Sequence, residues 1–355
     1  MSVEVVPSTK MNGVSLSRSS LRAVSGTFNG TRYSLYLADC LAWMGSRPEA
    51  SVHAIVTDPP YGLKEYTDEE KAKLRRGRGG VWRIPPSFDG CERTPVPRFT
   101  ILTEEDRDQL QLFFSQFARQ AFRMLVPGGH LFIATNPFLS HLVYIPLVET
   151  GFEKRGEIIR LVQTLRGGDR PKNAHEEFPG VTVMPRSRWE PWGLFRKPCE
   201  GRVQDNLRRW KTGGLRRISS TSPFCDVIES SPTRTEERAI APHPSLKPQA
   251  FIRQLVRASL PLGEGIVLDP FMGGGSTIAA ALAVKYESIG IEIDPVFFRI
   301  AQRAIPPLSH LSLNGRWKTH SETEETQALF QLCLTRFQRA NARKEGGESR
   351  WRMAE

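Results

Sequence analysis

The tetrad Asp58-Pro59-Pro60-Tyr61 places a carboxylate, a rigid Pro-Pro backbone and an aromatic ring in four consecutive residues. An exocyclic amino group on a nucleobase is a poor nucleophile because its lone pair is delocalised into the ring, so a catalyst must bind both N–H groups from one side. The Asp58 carboxylate and the Pro59 carbonyl can accept these hydrogen bonds, since Pro60 keeps Pro59 extended and neither proline offers a competing N–H. Tyr61 can then stack on a base drawn out of a duplex.

The segment before the tetrad must position it. Residues 53–57 (HAIVT) are apolar and β-branched, which is typical of a buried parallel strand whose carboxyl end carries a site. Taken alone, the tetrad is equally well explained as a proline-rich turn after this strand, because short motifs often occur by chance.

A second segment, residues 269–277 (DPFMGGGST), is a glycine-rich turn between a predicted strand and a predicted small-residue helix. Glu292 ends the next apolar run, nineteen positions after Gly273, where an acidic residue holds ribose hydroxyls in Rossmann-like sites. Neither G-x-G-x-x-G nor the G-K-[ST] ending of a P-loop is present, so an adenosine-containing ligand without a pyrophosphate fits better than NAD or ATP. The alternative is a tight turn that serves only helix–sheet packing.

Together the two segments resemble the motifs of the beta-class DNA amino-methyltransferases, which use S-adenosylmethionine. In that family a D-P-P-Y tetrad precedes an F-x-G-x-G cofactor loop, as residues 58–61 and 271–275 do here. Three further matches keep the family's order: residues 37–40 (LADC), 125–131 (LVPGGHL) and 243–248 (HPSLKP). The resemblance covers residues 33–305 and is weakest over residues 155–240.

The resemblance implies an α/β fold, namely a Rossmann-like, doubly wound, mostly parallel seven-stranded sheet with permuted motif order and a basic target-recognition insert. It implies S-adenosylmethionine as the cofactor, no metal, and catalysis by the tetrad Asp58, Pro59, Pro60 and Tyr61. The cofactor-binding residues that it implies are Asp39, Lys247, Asp269, Phe271, Gly273, Gly275, Ser276, Thr277 and Glu292. In an open doubly wound sheet, two strand-terminal motifs distant in sequence can face one cleft, which is the geometry that in-line methyl transfer needs.

The target base is predicted by resemblance to be adenine, methylated at N6, because the tetrad begins with Asp58 where N4-cytosine enzymes more often have Ser. Either amino group presents the same two donors, so N4-cytosine methylation is the alternative. A catalytically silent, sequence-specific DNA-binding protein is a second alternative. The intact Asp58, Tyr61 and glycine turn argue against it, because a silent protein has no chemical need for them.

Composition favours a polyanionic partner, since the 355-residue chain carries a net charge of +11 and has a pI near 9.7. The five cysteines are scattered without a C-x-x-C pair, which argues against a zinc ribbon or a disulfide framework. No run approaches the roughly 18 apolar residues of a membrane span, and we expect a cytoplasmic protein that does not enter a membrane.

A basic cluster is predicted to contact duplex DNA. Residues 202–217 interleave arginines with Trp210, and arginine suits both phosphate contact and the reading of guanine edges. The predicted contacts are Arg208, Arg209, Arg216 and Arg217. A solvated charged face is the alternative. By resemblance, Trp189 and Trp192 belong to a segment that helps to enclose the extruded base, although core packing explains either tryptophan equally well.

Five parts are predicted along the chain. They are a loose leader (1–30), the catalytic half of the core (31–198) with a mobile loop (64–99), a basic insert and linker (199–242), the cofactor-binding half (243–307) and a helical extension (308–355). The extension either covers the core or mediates self-association. A homodimer and the cognate endonuclease of a restriction–modification system stay open as partners.

Two helices have predicted ends. Helical spacing of apolar residues predicts a helix over residues 104–125, capped by Thr103 and ended by the Pro-Gly-Gly run at 127–129. Another is predicted over residues 296–305 and stopped by the proline pair at 306–307.

Overall fold

The computed structural model describes residues 22–60, 102–162, 170–171, 173–185 and 187–313. The described residues up to Ser312 belong to one unit, and a second unit, Leu313–Glu355, is described only at Leu313. Tyr61, the predicted loop over residues 64–99 and most of the predicted C-terminal extension therefore lie outside the described residues.

One sheet of nine strands runs through the described part of the chain, in the order β1-β2-β9-β8-β3-β4-β6-β5-β7. The strands are β1 (Arg22–Phe28), β2 (Thr31–Leu37), β3 (Val52–Thr57), β4 (Leu125–Ala134), β5 (Glu153–Leu161), β6 (Trp189–Arg196), β7 (Val227–Glu229), β8 (Ile266–Asp269) and β9 (Glu287–Glu292). Neighbouring strands from β2 to β4 pair in parallel, as do β5 and β7, whereas β6 is antiparallel to both of its neighbours. The mostly parallel Rossmann-like sheet is confirmed, with β1 and β7 added at the edges of the seven strands expected.

Helices cover both faces of this sheet. They are α1 (Cys40–Gly45), α2 (Glu104–Met124), α3 (Ser140–Glu149), α4 (Val203–Trp210), α5 (Thr235–Ile240), α6 (Gln249–Ser259), α7 (Ser276–Ala283) and α8 (Pro295–His310). Helices α1, α2 and α3 pack on the face that carries Ile55, while α6 and α7 pack on the face that carries Ala54 and Val56. Alternate side chains of β3 are thus buried on opposite faces, which explains its continuous apolar sequence and confirms the doubly wound arrangement.

Helix α2 begins where its sequence predicts. The Thr103 hydroxyl accepts a hydrogen bond from the Asp106 backbone N–H at 3.2 Å, and the Asp106 carboxylate accepts one from the Thr103 N–H at 2.8 Å, which completes a capping box. The helix ends at Met124, before the Pro-Gly-Gly run, and that run is already part of β4. A Cβ at Gly129 would lie 2.9 Å from the His53 carbonyl oxygen, so glycine here permits close strand approach.

Three predicted segments differ from the structure. The predicted loose leader over residues 1–30 contains strand β1. Helix α8 continues through the prolines at 306 and 307 to His310 because its apolar stripe continues beyond them, with Leu308 only 1% exposed. The part of the predicted linker over residues 221–242 contains the short strand β7 and helix α5. Among the helices of the described part of the chain, none has both the length and the hydropathy needed to cross a membrane.

Candidate active site

Four acidic side chains lie at the carboxyl ends of neighbouring parallel strands. Asp58 directly follows β3, and Asp39 follows β2. Asp269 ends β8, and Glu292 ends β9. The parallel registers of these strands bring all four to one edge of the sheet. Strand β3 lies where the strand order of the sheet reverses. Open α/β sheets bind ligands at the carboxyl ends of the strands beside such a reversal.

A pocket at this edge contacts both sequence motifs. Its lining includes Asp58, Trp192, His243, Lys247, Asp269, Phe271, Gly273, Ser276 and Thr277. The tetrad carboxylate and the glycine loop are far apart in sequence, and the structure brings them to one pocket as the motif order predicts.

Asp269 is a buried carboxyl that joins the two motifs. Its Oδ1 accepts hydrogen bonds from the Thr57 hydroxyl at 2.6 Å and from the Phe271 backbone N–H at 3.1 Å. Burial raises the pKa of Asp269 to about 6, although the hydrogen bonds from Thr57 and Thr277 oppose this change. A cationic ligand group would therefore be favoured here, because it would stabilise the ionised carboxylate.

Glu292 holds the glycine loop. Its carboxylate accepts hydrogen bonds from the Gly273 N–H at 2.9 Å and the Asp294 N–H at 2.8 Å. Burial raises the pKa of Glu292. Each carboxylate oxygen can accept more than one hydrogen bond, so these two contacts leave acceptor capacity for ligand hydroxyls.

Two of the three glycines of the loop are required for different reasons. Gly273 has φ +49°, and a Cβ there would lie 2.9 Å from the His243 imidazole in the pocket. Gly275 has φ +87°, and a Cβ there would lie 2.6 Å from the buried Ile305 of α8. The loop thus needs Gly273 for its approach to the pocket and Gly275 for packing against α8.

Lys247 contacts the tetrad carboxylate. Its ammonium lies 2.8 Å from Asp58 Oδ2 and 3.1 Å from Glu190 Oε1, and all three side chains are mostly buried. Burial alone would lower the pKa of Lys247, but the two carboxylates raise it above its usual value. The resemblance implied a cofactor-binding role for Lys247. In the structure the ammonium pairs with Asp58 and Glu190 and Lys247 lines the pocket, so a cofactor contact of Lys247 stays a prediction.

The remaining predicted cofactor residues lie around the pocket edge in supporting positions. The Asp39 carboxylate caps α1 by accepting a hydrogen bond from the Ala42 N–H at 2.8 Å. Phe271 packs against two aromatic rings of α2, with ring centroids 5.7 and 6.1 Å apart. Ser276 accepts a hydrogen bond from the Lys247 backbone N–H, and Thr277 is buried beside Asp269. Their cofactor contacts stay predictions.

Of the two predicted base-enclosing tryptophans, Trp192 has no exposed surface. It packs edge-on against Phe251, and its indole N–H donates to Glu190 at 2.9 Å. The side chain is thus part of the core and holds Glu190, while it also belongs to the pocket lining, so its predicted role in enclosing the base stays a prediction. Trp189 is 37% exposed, and its predicted role stays a prediction.

The basic cluster, residues 202–217, lies at the opposite edge of the sheet, where the parallel strands begin. Helix α4 is attached there because Asn206 donates to the carbonyl of Pro127, close to the start of β4. Arg208 pairs with Asp205 at 2.7 Å and Arg209 with Glu200 at 2.9 Å. The arginines that follow α4 are fixed in the same region: Arg216 donates to the Tyr286 hydroxyl at 2.7 Å, and the Arg217 carbonyl accepts from Arg257.

The predicted DNA contacts of these arginines stay predictions, and the structure places them away from the pocket. Because β6 is antiparallel to β4, it carries the chain away from the pocket before the cluster begins. The structure therefore does not bring Arg208, Arg209, Arg216 or Arg217 to the edge that carries Asp58. Any contact that they make with DNA would be remote from the pocket.

Three residues of the pocket region were missed from the sequence. Glu190 and Arg160 lie opposite each other on β6 and β5, and His243 covers the glycine loop. Glu190 lies between two tryptophans and His243 opens the matched run 243–248, so both were in segments already singled out. An acidic residue inside the tryptophan-containing segment 189–192 was the available signal for Glu190.

The chain is similar to known DNA methylases. A family model described as DNA methylase matches residues 52–303. The chain is 26% identical over 272 residues to the type II methyltransferase M.MjaI of Methanocaldococcus jannaschii, covering 69% of this chain and 82% of that protein. It is 24% identical over 294 residues to the type II methyltransferase M.HindIII of Haemophilus influenzae, covering 75% and 93%. A crystal structure of an M1.HpyAVI–SAM complex is 18% identical, with a TM-score of 0.49, over 77% of this chain and 98% of that one.

Proposed function

Because this chain belongs to the N6/N4 DNA methylase family, we propose that it transfers a methyl group from S-adenosylmethionine to N6 of adenine in a specific sequence of duplex DNA. The observation that supports this most directly is the shared pocket, in which the tetrad carboxylate Asp58 faces the glycine loop and Asp269. The family description, DNA methylase, supports a DNA substrate, and the type II methyltransferases among the relatives support methyl transfer.

The cofactor fits the residues at the pocket edge. Gly273 leaves the space that a Cβ would take from the pocket, and two buried carboxylates, Asp269 and Glu292, end the strands that flank the loop. Carboxylates suit the ammonium and the ribose hydroxyls of S-adenosylmethionine, and its sulfonium supplies the electrophilic methyl group when it is bound. Asp269 and Glu292 would hold these groups, with Phe271 and Asp39 beside them.

Asp58 and the Pro59 carbonyl would bind the two N–H groups of the target amine. The hydrogen bonds to both acceptors strengthen as positive charge develops on the amine nitrogen. Asp58 would therefore stabilise the transition state more strongly than it stabilises the bound, unreacted base. Burial of Asp58 beside Lys247 keeps the carboxylate in one place before the base arrives. Most of the rate gain would then come from positioning and electrostatics.

Adenine is supported by the Asp at position 58 through family resemblance, whereas the hydrogen-bond chemistry suits cytosine N4 equally well. The test is incubation of the purified protein with S-adenosylmethionine and unmethylated genomic DNA, followed by mass spectrometry of the digested nucleosides. N6-methyladenine is expected. N4-methylcytosine alone would overturn the base assignment, and the absence of both products with folded protein would overturn methyl transfer to DNA.

Asp58→Asn is the matched control for this test. Asn has the same shape but is neutral and presents N–H donors where the carboxylate accepts, so product formation should fall by about 10²- to 10³-fold. Full activity of Asp58→Asn would show that the tetrad carboxylate is not the group that binds the amine.

A further inference from the structure

We propose that Glu190 is a positioning residue for the proposed methyl transfer: it holds the Lys247 ammonium, which in turn orients the Asp58 carboxylate. This inference rests on the proposed function and adds two residues to its site. Neither Glu190 nor Lys247 needs to touch the target base for this role.

The three side chains come from three separate parts of the fold. Asp58 follows β3, Glu190 is in β6, and Lys247 precedes α6. The ammonium lies 2.8 Å from one carboxylate and 3.1 Å from the other, and the exposed fractions of the side chains are 14% for Lys247, 16% for Asp58 and 20% for Glu190. Charged groups this poorly solvated must be paired, so the ammonium fixes the distance between the two carboxylates.

Glu190 is itself held from the other side. Its Oε2 accepts a hydrogen bond from Arg160 at 2.9 Å, and its Oε1 accepts one from the Trp192 indole at 2.9 Å. Arg160 also donates to the Ser230 hydroxyl at 3.0 Å and lies over the Phe251 ring at 5.2 Å. Because these partners are buried in the sheet and α6, Glu190 is a fixed point to which Lys247 is attached.

The charges in this set balance. Asp58 and Glu190 are matched by Lys247 and Arg160, and the pKa of Glu190 is held below its usual value because Lys247 and Arg160 outweigh the effect of burial. Neutralising Glu190 would leave two cations facing one carboxylate. Removing Lys247 would instead leave the Asp58 and Glu190 carboxylates near each other, with the Arg160 guanidinium as the one remaining cation of the set.

The chemical consequence concerns the direction of the Asp58 acceptor. A carboxylate rotates about its bond to the Cβ, and the two N–H groups of the target amine must meet acceptors that already point correctly. An ammonium bound to Oδ2 fixes the plane of the Asp58 carboxylate. Loss of this restraint should lower kcat and leave the affinity for S-adenosylmethionine unchanged, because Asp58 is not assigned to the cofactor.

The test compares two substitutions on the same pair of strands. Arg160 on β5 lies opposite Glu190 on β6, and at the other end of these strands Glu153 on β5 lies opposite Arg196 on β6. The second pair is also an Arg–Glu ion pair, at 2.6 Å, but it lies at the edge remote from Asp58. Glu190→Gln is therefore the test variant, and Glu153→Gln is its control.

For Glu190→Gln we expect kcat to fall by about 10- to 100-fold, because the substitution weakens one hydrogen bond to a charged group. The KM for S-adenosylmethionine should stay unchanged. The basic limb of the kcat–pH profile should move to lower pH. The charged groups around Lys247 are Asp58, Glu190 and Arg160, and burial lowers the pKa of the nearby His243. Loss of Glu190 removes one of the two anions that stabilise the ammonium. Glu153→Gln should leave both kcat and the pH profile unchanged.

Several outcomes separate the two proposals. A wild-type protein that methylates no nucleoside refutes the proposed function itself. If the wild type is active and Glu190→Gln keeps its kcat and pH profile, or loses activity only through weaker cofactor affinity, the positioning role is refuted. Circular dichroism and thermal unfolding check both variants. If Glu190→Gln does not fold, Lys247→Met must show the loss of kcat, with partial recovery in Lys247→Arg, for the proposal to stand.

Discussion

Replacing Asp269 with Asn should stabilise the ligand-free protein increasingly as the pH rises. Burial raises the pKa of this carboxyl from its usual 3.8 to about 6, so the folded state binds the proton more tightly than the unfolded state. The stabilising contribution of the proton is complete below pH 3.8 and is lost as the pH rises through about 6. Asn does not ionise, and its side-chain oxygen can still accept from Thr57.

The magnitude follows from these two pKa values at about 1.36 kcal/mol per unit. Relative to acidic pH, the titration of Asp269 lowers the free energy of unfolding by about 2 kcal/mol at pH 5 and by about 3 kcal/mol at pH 8. The advantage of Asp269→Asn in the free energy of unfolding should therefore grow by about 1 kcal/mol between these two pH values. The difference in free energy of unfolding between variant and wild type is compared at the two pH values, so any effect of the substitution that does not depend on pH cancels.

Urea unfolding of both proteins at pH 5 and pH 8, without cofactor, measures this difference. Other groups that titrate, including Glu292, are common to both proteins and cancel in the comparison. An equal stability difference at the two pH values would refute a raised pKa for Asp269. Titration calorimetry on the same samples should show that Asp269→Asn loses affinity for S-adenosylmethionine, because the amide cannot balance a cationic ammonium.

Three further predictions follow from the same edge of the sheet and from its opposite edge. Gly273→Ala should weaken S-adenosylmethionine binding in calorimetry without unfolding the protein, because the new Cβ meets the His243 ring and the residue has φ +49°; unchanged affinity would contradict the cofactor assignment. Asp58→Ala should retain DNA binding in gel-shift assays while radiolabelled methyl transfer falls by at least about 10²-fold, whereas near-normal turnover would exclude the tetrad mechanism. Reversing Arg208 and Arg209 to Glu should leave cognate DNA affinity and its salt dependence unchanged, since both lie at the remote edge; weaker binding with a shallower salt slope would restore a phosphate-contact role.

The parts of the site that are local in sequence could be predicted. Asp58 and Glu292 each end an apolar run and lie beside a turn, and such signals are contained within about ten residues. Because parallel strands share a carboxyl edge, recognising the strands was enough to place both acids together. The same reasoning predicted α2 and its cap at Thr103.

The parts that depend on strand direction could not be predicted. Nothing in the sequence of β6 shows that it is antiparallel to β4, yet this direction carries Arg208 and its neighbours to the remote edge and places Glu190 beside the pocket. The contact between Lys247 and Asp58 likewise depends on how the segment before α6 approaches β3. Gly275 has the positive φ expected of a ligand loop, and only the packed structure shows that Ile305 requires it.

The hydrogen bond between Thr57 and Asp269 has a consequence for the order in which substrates bind. Thr57 is the residue before the tetrad, and its hydroxyl lies 2.6 Å from a carboxylate at the end of the cofactor strand. A ligand cation paired with Asp269 would fix the ionised carboxylate, and through this bond it would restrain the backbone that leads into Asp58. Linkage is reciprocal, so a base bound at the tetrad must change cofactor affinity by the same factor. We therefore expect positive cooperativity between the two substrates, and Thr57→Val should abolish it while leaving each binary affinity nearly intact.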